Sequence, residues 1–279
     1  MILRSAVALF LVAASTLSCA PLAMGQTTAA SYEKLNAERA PAIVTVKFLL
    51  KVQNEEQEEE TPGVMIEKGG LVLASNIAFG GLAARFGGEA VTPTDIKILI
   101  GDDTQGVEAK IIARDSEVGL AWVQIDKPAE AGYPFVDFAQ SSNAKAGDTV
   151  MVVTHLGKFF DRAAIVNEGK IVATPAKPRK LMIPSVELAG ADFGVPVFDS
   201  KAAPVGVLTV ILPDQDELQA TQGGMQQILK GISGGKMILP AEEVVAATKR
   251  AKETAASGKT EEAPAAEKPA QAAPGSAGQ

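Results

Sequence analysis

Apolar and polar residues alternate along much of the chain, which is the pattern of a β-strand with one buried face. The alternation is clearest over residues 42–50, where Val44, Val46, Phe48 and Leu50 share one face. Further short apolar stretches, each bounded by turn residues, predict strands at 63–67, 71–75, 96–100, 107–113, 120–125, 148–154, 163–166, 170–174, 180–183, 195–198 and 205–212.

Helical patterns are scarce by comparison. The sequence predicts a short helix at 31–39, a weak one at 217–228 and a stronger one at 240–254. Pro240 suits a helix N-terminus, and Glu242 complements the helix dipole there. Many short strands with few helices between them predict an all-β fold of antiparallel barrels or sandwiches rather than βαβ units.

Two acidic stretches have simple structural interpretations. We expect the run at 55–60 to form a solvated loop between the first two strands, rather than a metal site or a site for a basic partner. Asp102 and Asp103 follow Gly101 between two predicted strands. They are turn residues in this interpretation, because the spacing of a calcium-binding loop is missing.

The composition excludes several functions. A chain of 279 residues with 47% hydrophobic content can bury one or two cores. Its net charge of −7 argues against nucleic acid as a partner, because phosphate neutralisation needs clustered Lys and Arg. The segment 231–237 is similar to a phosphate loop, but it is one residue short and has Met237 where a hydroxyl is required. We expect neither a cofactor nor a metal site.

The first residues have the layout of a secretory signal peptide at 1–25, with Arg4 before an apolar run and small residues before Gln26. That run is too short to span a bilayer, and no later stretch approaches the roughly 20 apolar residues of a transmembrane helix. We therefore expect an exported protein, periplasmic or secreted. Lipid anchoring through Cys19, the only cysteine, is the alternative.

Several stretches resemble the motifs of one family, and they occur in the family's order. The first motif consists of residues 63–66 together with 74–78, the second of residues 114–122 and the third of residues 188–200. Together with the Met-Ile-Leu-Pro sequence at 237–240, they resemble HtrA/Deg-type trypsin-like serine proteases of the bacterial envelope. The resemblance implies a trypsin-like fold of two six-stranded antiparallel β-barrels.

The resemblance also implies a division of the chain. The expected parts are the signal peptide at 1–25, a double-barrel domain at 26–254 and an Ala/Pro/Glu-rich tail at 255–279, which its composition predicts to be disordered. Because only this tail follows, we expect no PDZ domain in the chain. Within the domain we expect a first barrel at about 37–135, a second at about 143–239 and a closing helix at 240–254.

The sequence differs from the family at the positions of the catalytic triad. By resemblance, the histidine position falls on Ile77, the aspartate position on Gly119 and the nucleophile position on Phe193. The family's mechanism needs a hydroxyl, an imidazole and a carboxylate, and these three residues supply none of them. Loss of a single triad member costs a factor of about 10⁴ to 10⁶ in rate.

The loop that forms the oxyanion hole in the family is also altered. Ala191 replaces a glycine, and Asp192 brings negative charge to a site that stabilises developing negative charge. Two interpretations of Phe193 remain open: a side chain turned into the cleft or between the barrels, and a plain core residue in a relaxed loop.

A displaced catalytic site would have to use His155, the only histidine in the chain. Ser141, Ser142, Ser185 and Asp161 are the nearest candidate partners in sequence. The other interpretation is a surface or loop-packing histidine. A zinc site at His155 would have to take its other protein ligands from carboxylates.

These observations predict a non-catalytic HtrA-like protein that binds a peptide, an unfolded client or a partner protein in the cell envelope. The first alternative is an active serine endopeptidase with a displaced or unconventional site. The second is an architectural protein that acts by assembly, for which a homo-oligomer is one form.

Overall fold

The computed structural model describes residues 29–52, 55–81, 92–177, 179–188, 190–211 and 235–258. The predicted signal peptide, the weak helix at 217–228 and nearly all of the predicted tail lie outside these ranges. None of the helices within the described ranges is long and apolar enough to cross a membrane.

The first six strands form a closed antiparallel barrel in the order β1-β2-β3-β6-β5-β4. Its strands bury large side chains with no exposed surface, among them Trp122, Leu73 and Ile98. The strands are β1 (Ile43–Val52), β2 (Glu55–Glu67), β3 (Leu71–Ser75), β4 (Thr94–Leu99), β5 (Val107–Asp115) and β6 (Leu120–Ile125).

The next six strands form a second antiparallel sheet in the order β12-β11-β10-β7-β8-β9. Its two ends approach each other, because the backbones of Met182 and Ile238 exchange hydrogen bonds of 3.0 and 2.7 Å. The prediction of two six-stranded, barrel-like β-units is confirmed. The strands are β7 (Thr149–His155), β8 (Ala164–Ala173), β9 (Ile183–Pro184), β10 (Pro196–Phe198), β11 (Pro204–Thr209) and β12 (Met237–Pro240).

The prediction of a loop at the acidic run 55–60 is wrong, because these residues form the first half of β2. Each pairs with a residue of β1, as in Leu49 opposite Glu58. Cations offset the repulsion among the carboxylates: the Lys47 ammonium lies 2.6 Å from Glu58, and the Arg162 guanidinium lies 2.9 Å from Glu60. Strand pairing and these ion pairs therefore override the weak strand propensity of glutamate.

Two strands predicted separately, at 163–166 and 170–174, are one strand, β8. Gly169 does not end it. A Cβ at this position would lie 2.7 Å from the Leu188 side chain, so the glycine permits close packing inside a continuous strand.

The predicted helices at the two ends of the domain are confirmed as α1 (Ala29–Arg39) and α2 (Ala241–Ala256). Helix α1 buries Leu35, and Arg39 donates from Nε to the carbonyl of Ala202 at 2.9 Å. Helix α2 contacts β5 of the barrel and β11 of the second sheet, with Val244 and Ala247 buried. It thus packs against both halves of the fold.

Candidate functional site

The three stretches expected to hold the triad meet where the barrel contacts the second sheet. The N–H of Asn76 donates to the carbonyl of Gly119 at 2.9 Å, which joins the residue after β3 to the residue before β6. Gly194, just before β10, approaches the end of β3 so closely that a Cβ there would lie 2.5 Å from the Ser75 nitrogen. The fold therefore brings these segments into contact.

Gly119 leaves no space for a side chain. Its φ of +69° favours glycine, and a Cβ there would lie 2.6 Å from the carbonyl oxygen of Val210 and 2.7 Å from Oγ1 of Thr209. The Thr209 hydroxyl donates to the carbonyl of Val118 at 2.6 Å, which holds β11 against this turn. A carboxylate at position 119 would require the backbone to move.

Ile77 lies in a compact turn after β3. Its N–H donates to Oγ of Ser75 at 3.3 Å, and its carbonyl accepts from the N–H of Gly80 at 3.0 Å. The side chain is half-buried and aliphatic. It can exclude water from the contact between the two sheets, but it cannot accept a proton.

Phe193 is half-buried, and a lysine covers one face of its ring. The Nζ atom of Lys236 lies 4.4 Å from the ring centroid, within the range of a cation–π interaction. Lys236 is only 9% exposed, so this contact is largely removed from water. Residue 193 therefore presents an aromatic ring packed against an aliphatic amine, and no hydroxyl.

Charges of opposite sign flank the ring. Burial lowers the pKa of the Lys236 ammonium, and the nearby Asp192 carboxylate acts in the opposite direction. Asp192 is exposed and accepts a hydrogen bond from Oγ1 of Thr154 at 3.4 Å. We name Asp192, Phe193 and Lys236 the Phe193 cluster.

The backbone of this loop is already hydrogen-bonded. The N–H of Ala191 donates to the carbonyl of Leu188 at 3.2 Å, and the N–H of Gly194 donates to the carbonyl of Leu208 at 2.7 Å. An oxyanion hole needs N–H donors aimed at the position of the developing charge. The Ala191 donor is committed to a turn within the loop instead.

His155 does not lie beside the hydroxyl candidates that the sequence offers. It ends β7, whereas the Ser185 hydroxyl accepts from the N–H of Lys170, which pairs with Thr149 at the other end of that strand. Thr149 and His155 are six positions apart along the strand, or about 20 Å. The N–H of Ser142 bonds the carbonyl of Pro204 at 3.0 Å, at the start of β11, which lies two strands from β7 in the sheet.

The surroundings of His155 suit a structural residue. It is half-buried, and burial lowers the pKa of its imidazole, with the Arg162 guanidinium acting in the same direction. Asp161 lies in the same β7–β8 connection, where its φ of 51° places it in a left-handed turn. Asp161 is therefore the only one of the four candidates that lies near His155 along the backbone.

Sequence reasoning missed Lys236. Residues 231–237 resemble a phosphate loop, which was the only function that the sequence suggested for them. A lone lysine after two glycines carries no local signal of an aromatic partner 43 positions earlier. The contact depends on how β12 and the loop before β10 lie in the second sheet.

With this geometry in place, the comparison with known proteins is direct. A family model described as "Trypsin-like peptidase domain" matches residues 62–207, just over half of the chain. The chain belongs to the trypsin-like peptidase family. Its match covers β3, β6 and β10, the elements that form the contact around Gly119 and Gly194.

Two proteins with Deg names are similar to this chain. It is 27% identical over 194 residues to a "Probable periplasmic serine endoprotease DegP-like" of Rickettsia conorii, a match that covers 63% of this chain. The match covers 35% of that relative, so the chain spans about a third of its length. The crystal structure of Deg5 superposes with a TM-score of 0.55 at 15% identity, over 81% of this chain and 95% of Deg5, and so has the same fold.

Proposed function

We propose that this trypsin-like peptidase family member is non-catalytic and binds an extended polypeptide, an unfolded client or a partner protein in the cell envelope. The observation that carries the proposal is the Phe193 cluster, where the Lys236 ammonium lies 4.4 Å from the ring of the residue that we assign to the nucleophile position. The expected signal peptide and the DegP-like relative, named as periplasmic, support the location.

Two further features support the absence of catalysis. The turn at Gly119 has no space for the carboxylate that would orient a base, and the N–H of Ala191 is engaged by Leu188. Restoring a hydroxyl at position 193 would therefore leave the base, its orienting group and an oxyanion donor missing. In our proposed assignment, the three triad positions are occupied by Ile77, Gly119 and Phe193. None of the three catalytic groups of the triad is then retained.

The catalytic part is tested with a serine-directed fluorophosphonate probe on wild-type protein and on Phe193→Ser, with active trypsin as the positive control. We expect no labelling of either protein, because neither has a base beside a hydroxyl. Stoichiometric labelling of any serine in the wild-type protein would overturn the proposal and favour a displaced catalytic site.

The binding part is tested with a fluorescently labelled, permanently unfolded polypeptide whose anisotropy reports complex formation. We expect Phe193→Asp to weaken binding, because it introduces a charge and removes the ring that Lys236 covers. Val172→Asp is the matched control, since Val172 is 56% exposed and lies at the end of β8 remote from Ile165, which pairs with the Asp192 partner Thr154. Equal binding by both variants would contradict binding at this cluster.

We also propose that the chain self-associates through the tip of the β7–β8 connection. Phe159 and Phe160 are 90% and 57% exposed there, and their rings pack edge to face at 5.0 Å. Exposed aromatic pairs are uncommon on monomeric proteins and are typical of interfaces.

Sedimentation velocity tests this self-association. We expect the wild type to form a concentration-dependent oligomer, and Phe159→Ser with Phe160→Ser to be monomeric. Val186→Ser serves as the control for loss of an exposed apolar side chain elsewhere. A wild-type protein that is monomeric at all concentrations would exclude the interface.

A further inference from the structure

Four strand ends meet at the edge of the second sheet that carries the Phe193 cluster. Neighbouring strands run in opposite directions in the order β12-β11-β10-β7, so β7 and β11 end where β10 and β12 begin. Thr209 at the end of β11 pairs with Met237 at the start of β12, and Lys236 directly precedes Met237. The fold therefore brings Lys236 to the same edge as Phe193, which precedes β10.

The Lys236 ammonium is a nearly buried charge without a hydrogen-bonding partner in the described part of the chain. Its side chain is 9% exposed, and it contacts the Phe193 ring at 4.4 Å. Asp192 attracts it only at longer range, because these two residues form neither an ion pair nor a hydrogen bond. An ammonium has several N–H donors, and a ring face satisfies them poorly. The amine can therefore still donate to a ligand.

Asp192 does not compensate for the burial of this charge. Its side chain is exposed, and it accepts a hydrogen bond from Oγ1 of Thr154 at 3.4 Å. Water therefore solvates the carboxylate, whereas Lys236 has lost most of its hydration. Burial lowers the pKa of Lys236 more than the attraction of Asp192 raises it. The two charges cancel formally, but the charge that lacks solvation is the positive one.

The kind of ligand that relieves this cost is an anion. A buried ammonium is stabilised when an anion accepts its hydrogen bonds, and a carboxylate does so through short, charge-assisted bonds. Carboxylates are also the anionic groups of an unmodified polypeptide. The ring of Phe193 is half-buried, so its remaining surface can pack against the methylene groups next to such a carboxylate. A neutral or basic ligand would remove water from Lys236 and leave its charge unpaired.

We propose that Lys236 recognises a carboxylate of the polypeptide that binds at the Phe193 cluster. The carboxylate accepts hydrogen bonds from the Lys236 ammonium, and it belongs either to an aspartate or glutamate side chain or to the C-terminus of the ligand. This inference rests on the proposed function and adds the chemistry that the ligand must have. Lys236 thereby determines specificity for an acidic group over its neutral amide.

Peptides that differ in one group test this recognition on the wild-type protein. The reference is a short peptide with a central glutamine, blocked at both ends and carrying a neutral dye whose anisotropy reports binding. One test peptide has glutamate in place of this glutamine, and the other keeps the glutamine but has a free C-terminal carboxylate. We expect one of the two acidic peptides to bind about tenfold more tightly than the reference. The peptide that gains affinity identifies the source of the carboxylate.

Substitutions of Lys236 assign the preference to this residue. Lys236→Met keeps the length of the side chain without its charge and is expected to abolish the tenfold difference. Lys170→Met is the matched control, because Lys170 is exposed and pairs with Thr149 at the opposite end of the sheet. Lys236→Glu is expected to reverse the preference in favour of a peptide with a central lysine. A merely structural role for Lys236 would not produce this reversal.

The outcomes separate this inference from the proposed function. Equal affinity of the wild type for all three peptides would overturn carboxylate recognition, and that comparison needs no variant to fold. A preference that persists in Lys236→Met would also overturn it, because recognition would then lie elsewhere. In both cases binding of polypeptide at the Phe193 cluster would stand. Absence of binding by every peptide and by the unfolded polypeptide would overturn the proposed function together with this inference.

Discussion

Two glycines set the geometry of the site at the scale of single residues. A Cβ at Gly119 would lie 2.6 Å from Val210, and one at Gly194 would lie 2.5 Å from Ser75, in each case against backbone atoms that cannot move aside easily. Both residues also have positive φ, at 69° and 83°. Close packing of the two β-units at this contact thus requires residues without a side chain at both positions.

We expect Gly119→Asp to destabilise the protein by about 2–4 kcal/mol, because it combines an unfavourable φ with overpacking against β11. Urea unfolding monitored by Trp122 fluorescence measures the change. Gly69→Asp is the control and is expected to be nearly neutral, since nothing lies within 4 Å of a Cβ there. A fully stable Gly119→Asp protein would show that the turn can accommodate a carboxylate.

At the scale of secondary-structure elements, the β7–β8 pair contains the only histidine of the chain. This histidine lies next to a strained connection. His155 pairs with Ala164, and Asp161 and Arg162 between them both have a φ of 51°. Arg162 also forms the 2.9 Å ion pair with Glu60 that ties this connection to β2. The element is therefore held by contacts with the barrel as well as by its own ladder.

The stability of this element should depend on pH through His155. Burial, with Arg162, lowers the pKa of the folded imidazole below 6.5, so the unfolded chain binds the proton more tightly. The contribution of the neutral His155 to stability is fully present above pH 6.5. It is lost as the pH falls from 6.5 through the pKa of the folded protein.

His155→Gln removes this titration. Subtracting the variant's free energy of unfolding from the wild-type value across this range isolates His155, because the carboxylates are common to both proteins. We expect the difference to rise with pH. A difference that is flat with pH would contradict the lowered pKa.

At the scale of the whole molecule, α2 ties the two β-units together. It contacts β5 and β11, Thr248 accepts the hydrogen bond of Trp122 on β6, and Arg250 lies 3.5 Å from Asp115. Asp115 is buried and accepts hydrogen bonds from the N–H groups of Glu117 and Val118 at 3.0 and 3.2 Å. Its carboxylate thus organises the turn that leads to Gly119.

We expect Asp115→Ala to destabilise the protein by about 2–3 kcal/mol, since it leaves two N–H groups and a guanidinium without their acceptor. Burial raises the pKa of this carboxyl, opposed by the hydrogen bonds and Arg250, so part of the lost stabilisation is offset by removal of a buried charge. Asp126→Ala, which breaks only the exposed pair with Lys110, is the control in the same urea titration. Equal stability of the two variants would contradict this role.

The sequence by itself determined most of the strands, both packed helices and the family motifs, because these depend on local periodicity and on residue identity. It also determined that Phe193 carries no hydroxyl, whatever its surroundings. It failed at the acidic run, where glutamates predict a loop and only pairing with β1 makes them a strand.

Only the tertiary structure decided the contacts between distant residues. Lys236 over Phe193, the engaged N–H of Ala191 and the separation of His155 from Ser185 depend on register and on how strands are ordered in the second sheet. No local pattern encodes these contacts, because packing energy is shared among residues far apart in sequence.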